Sequence, residues 1–224
     1  MSVESAIMVK GLEFSIGKKR ILKGLDFSVP RGKVFAVVGH NGAGKTTFFH
    51  ILLGLKYQTA GEIQILGRSN EDWRSRTGIG YVVERPYLNL DHEFVSFLRF
   101  HARLAGVPRQ REVFEKVAEE VGLAGHLDEG LSTFSKGMLQ KAVLAQAALG
   151  DPEIKVLDEP MSGLDPESRE VVKRQIQKWR EAGKTIVFSS HVMEDVELLA
   201  DEVLILEDGE VRFRGTVDEW RARP

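Results

Sequence analysis

The chain has 224 residues, with 31 Lys and Arg against 33 Asp and Glu, a net charge of −2, and no cysteine. That balance excludes both the strongly basic footprint of a dedicated nucleic-acid binder and an acidic solvating tail, and the missing cysteine excludes disulfides, thiolate metal sites and a cysteine nucleophile. With 42% apolar residues, a chain of this length folds to a globular protein burying roughly 70% of its unfolded surface. The first ten residues carry no apolar run behind a basic start, so no secretory leader is read. No stretch approaches the ~18 apolar residues of a membrane span, so direct insertion is not expected.

Residues 7–16 and 21–29 read as half-exposed strands around the turn Gly17-Lys18-Lys19. Val34-Phe35-Ala36-Val37-Val38 is an unbroken apolar run, the mark of a strand buried on both faces of a parallel sheet. A helix is predicted from Lys45 to a C′ glycine at Gly54, followed by short strands over 61–67 and 79–83. From Pro86 to Gly150 helical spacing takes over, with Phe94, Phe97, Leu98 and Leu104, then Val113, Val117 and Val121. A strand at 153–157 resumes the alternation. A helix over 166–182 follows, with Asp165 as N-cap and Pro166 at N1. Strands at 185–189, 202–206 and 210–213 close the chain, the last two joined by an Asp208-Gly209 hairpin turn.

Gly39-His40-Asn41-Gly42-Ala43-Gly44-Lys45-Thr46, with Thr47 next, matches the phosphate-loop pattern in full and lies between a buried strand and a helix start. The glycines let backbone N–H groups turn toward phosphate oxygens, and the helix points its positive end at them. Lys45 reaches the β- and γ-phosphates, and the Thr46 hydroxyl can ligate Mg²⁺. The strand ending at Leu157 delivers Asp158, suited to holding Mg²⁺ through water, and Glu159, suited to orienting or deprotonating an attacking water. Ser135 can cap the apolar helix after it, with Gly137 letting a ligand approach its N–H groups. Taken alone, that segment reads as an ordinary capped helix. His191, after the strand at 185–189, taken alone reads as a structural histidine.

In this order and spacing these elements resemble the nucleotide-binding subunit of the ATP-binding cassette (ABC) transporters, in their bacterial exporter-like branch, over essentially the whole chain. The resemblance implies an α/β fold: a P-loop NTPase core over 1–84 and 150–224, with a small antiparallel β-subdomain and an inserted helical subdomain over 85–149. It places residues 135–140 on the family signature, Asp158 on the Walker B aspartate and Glu159 on the catalytic glutamate. Residues 162–165 fall on the D-loop and His191 on the switch histidine. It further implies ATP and Mg²⁺ as ligands and two copies, or a pair of related subunits, stacked head to tail. Lys45 and His191 of one chain then meet the γ-phosphate together with Ser135 and Gly137 of the other. The dimer would drive a membrane-spanning permease from the cytoplasmic face, in export, with no nucleic-acid partner. No regulatory domain is expected after Trp220.

Five residues depart from the pattern. Glu84 stands where the family has glutamine and is expected beside Mg²⁺ with Thr46 and Asp158. Lys136 and Met138 interrupt the glycine-rich signature. Ile16 takes the place of an aromatic that stacks on adenine, and strand alternation puts Phe14 on its side. Lys155 is a charge inside an apolar strand and has no account from sequence. Two other readings are a soluble ABC-type ATPase in assembly or repair, and a nucleotide-gated module without turnover. Neither a coiled-coil insert nor a basic stripe supports a repair member, and Asp158, Glu159 and His191 favour turnover.

Overall fold

Period-two alternation and one unbroken apolar run predict two kinds of sheet, and both are present in the computed structural model, which describes residues 4–86 and 88–223. Residues 1–3, part of the stretch read for a leader, lie outside the described residues. In chain order come β1 (Ser5–Ile16), β2 (Lys19–Pro30), β3 (Val34–Val38), α1 (Lys45–Leu52), β4 (Ala60–Ile65), β5 (Arg68–Ser69) and β6 (Ile79–Val82). Three helices follow: α2 (Phe94–Leu104), α3 (Arg111–Glu120) and α4 (Lys136–Ala148). The chain closes with β7 (Ile154–Leu157), α5 (Pro166–Glu181), β8 (Thr185–Ser190), α6 (Met193–Leu199), β9 (Glu202–Glu207), β10 (Glu210–Thr216) and α7 (Val217–Arg221).

The larger sheet has the order β10-β9-β3-β8-β7-β6, parallel throughout except for β10 on β9. β1, β2, β4 and β5 make a separate antiparallel sheet in the order β2-β1-β4-β5. Alternation along β3 feeds two cores. Phe35 and Val37 pack with α1 and the small sheet, and Val34, Ala36 and Val38 pack with the helices on the opposite face. α6 and α7, seven and five residues long, are too short for periodicity to announce. α6 is tied to α5 through buried Asp195, which accepts from Arg169 (2.8 Å) and pairs with Lys173 (3.2 Å). Among the described residues no helix is long and apolar enough to cross a membrane.

Lys155 now has a physical account. It points to the helical face of β7 and is 0% exposed. Its Nζ donates to the Ala147 carbonyl (3.1 Å), in the last turn of α4, and lies 4.9 Å from the Trp179 ring centre. The amino group thus donates to a carbonyl that the helix end leaves without an intrahelical partner. Gly80, its cross-strand partner on β6, makes the room: a Cβ there would collide with the same carbonyl.

Candidate active site

β3, β8 and β7 are adjacent and parallel, so the three segments leaving their C-terminal ends converge. These are the loop from Gly39, the Asp158-Glu159 pair and His191. Open α/β sheets place ligands at this edge.

The loop from Gly39 to Gly44 folds against the β9–β10 hairpin, with the Gly209 N–H donating to the Ala43 carbonyl (3.1 Å). Gly44 is the N-cap of α1 with φ 112°, in the left-handed region, and a Cβ there would lie 2.7 Å from Leu22 Cδ2. No side chain caps the helix, which leaves its first N–H groups to a ligand. Lys45 is buried, and its Nζ donates to the carbonyls of Gly39 (2.6 Å) and His40 (3.4 Å). Asn41, Gly42 and Thr46 are exposed at the rim and Thr47 half-buried. His40 faces Asp208 across 3.7 Å.

Glu159 sits between Lys45 and His191. Its Oε1 is 3.1 Å from Lys45 Nζ, without hydrogen-bond geometry, and its Oε2 is 2.9 Å from His191 Nδ1. Its φ of 45° is left-handed for a non-glycine residue, a conformation costing about 1–2 kcal/mol. Backbone strain of this kind persists only where the surrounding structure over-determines it, and it clusters at active sites. The constraint comes from Ser189. Its Oγ accepts from the Glu159 N–H (2.8 Å) and donates to Asp158 Oδ1 (2.6 Å). Ser189 is the one site residue that sequence reasoning missed, its signal being two serines at the end of a buried strand. Burial and then the nearby Asp158 charge push the Tyr81 hydroxyl well above the usual range.

These groups fit a nucleotide polyphosphate with Mg²⁺. Uncapped N–H groups and Lys45 offer charge for phosphate, Glu159 Oε1 is a buried oxygen without a hydrogen-bond partner, and Asp158 and Thr46 offer hard oxygen ligands. Glu84 follows the end of β6, beside the strand of Asp158, and its nearest cation is Arg85 at 3.6 Å. The structure brings together Lys45, Asp158, Glu159 and His191.

Ser135 and Gly137 lie elsewhere, against α5. Ser135 caps α4, as predicted, accepting from the Met138 N–H (3.2 Å). Gly137 is buried, and a Cβ there would collide with Ser168 Oγ. Close helix packing is thus a reason for this glycine beyond ligand access. The expected shared side of Phe14 and Ile16 needs correction. A register shift between Phe14 and Ser15 breaks the alternation. Phe14 packs against the small-sheet core with Lys56 Nζ over its ring, and Ile16 is 59% exposed.

The profile described as "ABC transporter" matches residues 22–162. An ABC transporter ATP-binding protein of Nostoc sp. is 40% identical over 205 residues, covering 88% of this chain and 60% of that protein. The Nod factor export ATP-binding protein I of Ralstonia nicotianae is 32% identical over 217 residues, covering 95% of this chain and 68% of that one. A solved ATP-binding subunit of an ABC transporter superposes with a TM-score of 0.88 at 30% identity, covering 97% of this chain and 92% of its own. The chain spans less than two thirds of the length of the Nostoc relative and of a second, from Synechocystis sp..

Proposed function

The chain belongs to the ABC transporter family, and on that premise we propose that it hydrolyses ATP as the energy-coupling subunit of an exporter. The observation that carries this reading is the convergence of Lys45, Asp158, Glu159 and His191 at one sheet edge. Lys45 and the α1 N–H groups bind and orient the phosphates, and buried Glu159 takes the proton of the attacking water. His191 holds the Glu159 carboxylate in place. Mg²⁺, held by Thr46 and Asp158 with Glu84 nearby, would neutralise charge on the β- and γ-phosphates.

Ser135 and Gly137 complete the site from a second copy, or a related subunit, packed head to tail. Their position against α5 rather than the phosphate loop supports this. The helical segment 85–149 acts as a subdomain against the core 1–84 and 150–224. A groove of about 760 Å³ lined by Tyr81, Val83, Phe97, Phe100, His101 and Val143 offers a permease partner a seat, at the cytoplasmic face of the membrane. The Ralstonia relative's name supports export.

Mixing tests the shared site. Lys45→Ala and Ser135→Arg subunits, each inactive alone, should regenerate one intact composite site and regain phosphate release when combined. No recovery from proven mixed dimers would place Ser135 on its own chain's nucleotide.

Exposed Ile16 covers the base by apolar contact and lacks an aromatic face, which is worth roughly 1–3 kcal/mol on a nucleobase. ATP affinity should therefore be modest, with GTP competing almost equally. Ile16→Tyr should tighten ATP binding by up to about tenfold. An ATP preference untouched by Ile16→Tyr and lost in Phe14→Ala would assign the base to Phe14.

A further inference from the structure

Lys136 interrupts the glycine-rich signature, and its side chain is committed to a specific partner. Its Nζ donates to the carbonyl oxygens of Gly163 (3.0 Å) and Ser162 (3.3 Å). Further contacts join the same two segments. Gly137 packs directly on Ser168, and a Cβ there would lie 3.1 Å from Asp165 Oδ2. Gly163 holds φ 63°, and a Cβ on it would collide with Lys136 Nζ. Ser135 caps α4, and Asp165 caps α5 by accepting from the Ser168 N–H (2.8 Å), so two capped helix N-termini meet at this point.

An ammonium beside two helix N-termini gains nothing from their dipoles, whose positive ends repel it. The carbonyls of residues 162 and 163 are what hold it there. The loop that carries those carbonyls descends from the site, because the Ser162 N–H donates to the Glu159 carbonyl (3.0 Å). Lys136 therefore bridges the start of α4 and the turn after the acidic pair.

We propose that Lys136 is a positioning residue that fuses segments 135–140 and 162–165 into one rigid edge, presented as a unit to the nucleotide held by a second copy. This rests on the two-copy reading above. Without the bridge the 162–165 loop, which has a left-handed glycine at its centre, is free to sample other conformations.

Lys136→Met keeps an unbranched apolar stem as far as Cε and removes the donor. It should lower kcat by about 10- to 100-fold, the range for losing charge-assisted hydrogen bonds. The KM for ATP should stay within about twofold, because the variant's own phosphate loop is untouched. Lys136→Arg, which still donates to carbonyls, should restore most of the rate. Gly163→Ala gives an independent route, since it forces the same contact apart. Its effect and that of Lys136→Met should be non-additive in the double variant.

The decisive arm mixes Lys136→Met with Lys45→Ala subunits. One composite site then pairs an intact phosphate loop with an intact Lys136 from the other chain, and phosphate release should rise above that of either parent. An unchanged kcat in Lys136→Met overturns the proposal. So does proven mixed-dimer formation without recovery, which would assign the effect to the chain's own Glu159 turn. ATP-driven dimerisation of Glu159→Gln with native Lys136 separates the failures. If that dimer is absent, the two-copy reading falls, and if it forms while mixing fails, only the role of Lys136 falls.

Discussion

Glu159→Gln is expected to bind ATP with the affinity of the parent chain and to turn it over roughly 10²–10⁴-fold more slowly, the scale for losing a positioned base. The carboxylate lies 3.1 Å from Lys45 Nζ and 2.9 Å from His191 Nδ1, on a residue whose left-handed backbone is held by Ser189. The amide keeps the volume and the backbone hydrogen bond, and it removes both the proton acceptor and the negative charge facing the γ-phosphate. Binding and turnover therefore separate. Phosphate release at saturating ATP, alongside a direct nucleotide-binding titration, checks the separation. Equal losses in both would reduce Glu159 to a structural partner of Lys45.

The second large effect is on stability, at Lys155. Burial, the dominant cause, lowers its pKa from 10.5 to about 7, with Asp151 and Glu120 opposing and Lys184 acting in the same direction as burial. Above pH 7 the folded chain carries this lysine mostly neutral, while the unfolded chain keeps it protonated to about pH 10.4. The unfolded state thus binds more protons in that window, and stability rises with pH. Relative to Lys155→Met, in which every other titrating group is retained, the parent chain should gain about 3 kcal/mol between about pH 7 and pH 9.5. Denaturant unfolding of both proteins across that range measures the difference. Parallel pH profiles would mean that the ammonium stays charged in the fold, held by the Ala147 carbonyl and the Trp179 ring.

The legible parts of this molecule were those with local signals. The run Val34–Val38 fixed a central strand, and the glycine spacing from Gly39 fixed the loop after it. Asp165 with Pro166 fixed the start of α5. The chemistry of Lys45, Asp158 and Glu159 followed from residue types at strand ends. What stayed hidden depended on partners distant in sequence or on irregular backbone. Ser189 binds Asp158 and the Glu159 backbone from 31 and 30 residues away. Lys155 makes sense only once the end of α4 and Trp179 are placed around it. The register shift after Phe14 leaves no mark in the residue pattern. α7 was readable in principle, through the capping box of Thr216 and Glu219.

On the two-copy reading, ATP is held between two copies, each lending its signature to the other's phosphate loop. Light scattering of Glu159→Gln, with and without ATP, addresses it most directly, because slow turnover lets the bound state accumulate. A monomer of 25.1 kDa is expected without nucleotide and a particle of twice that mass at saturating ATP. Lys45→Ala in the same background should abolish the shift. A monomer at high protein concentration and saturating ATP would contradict it.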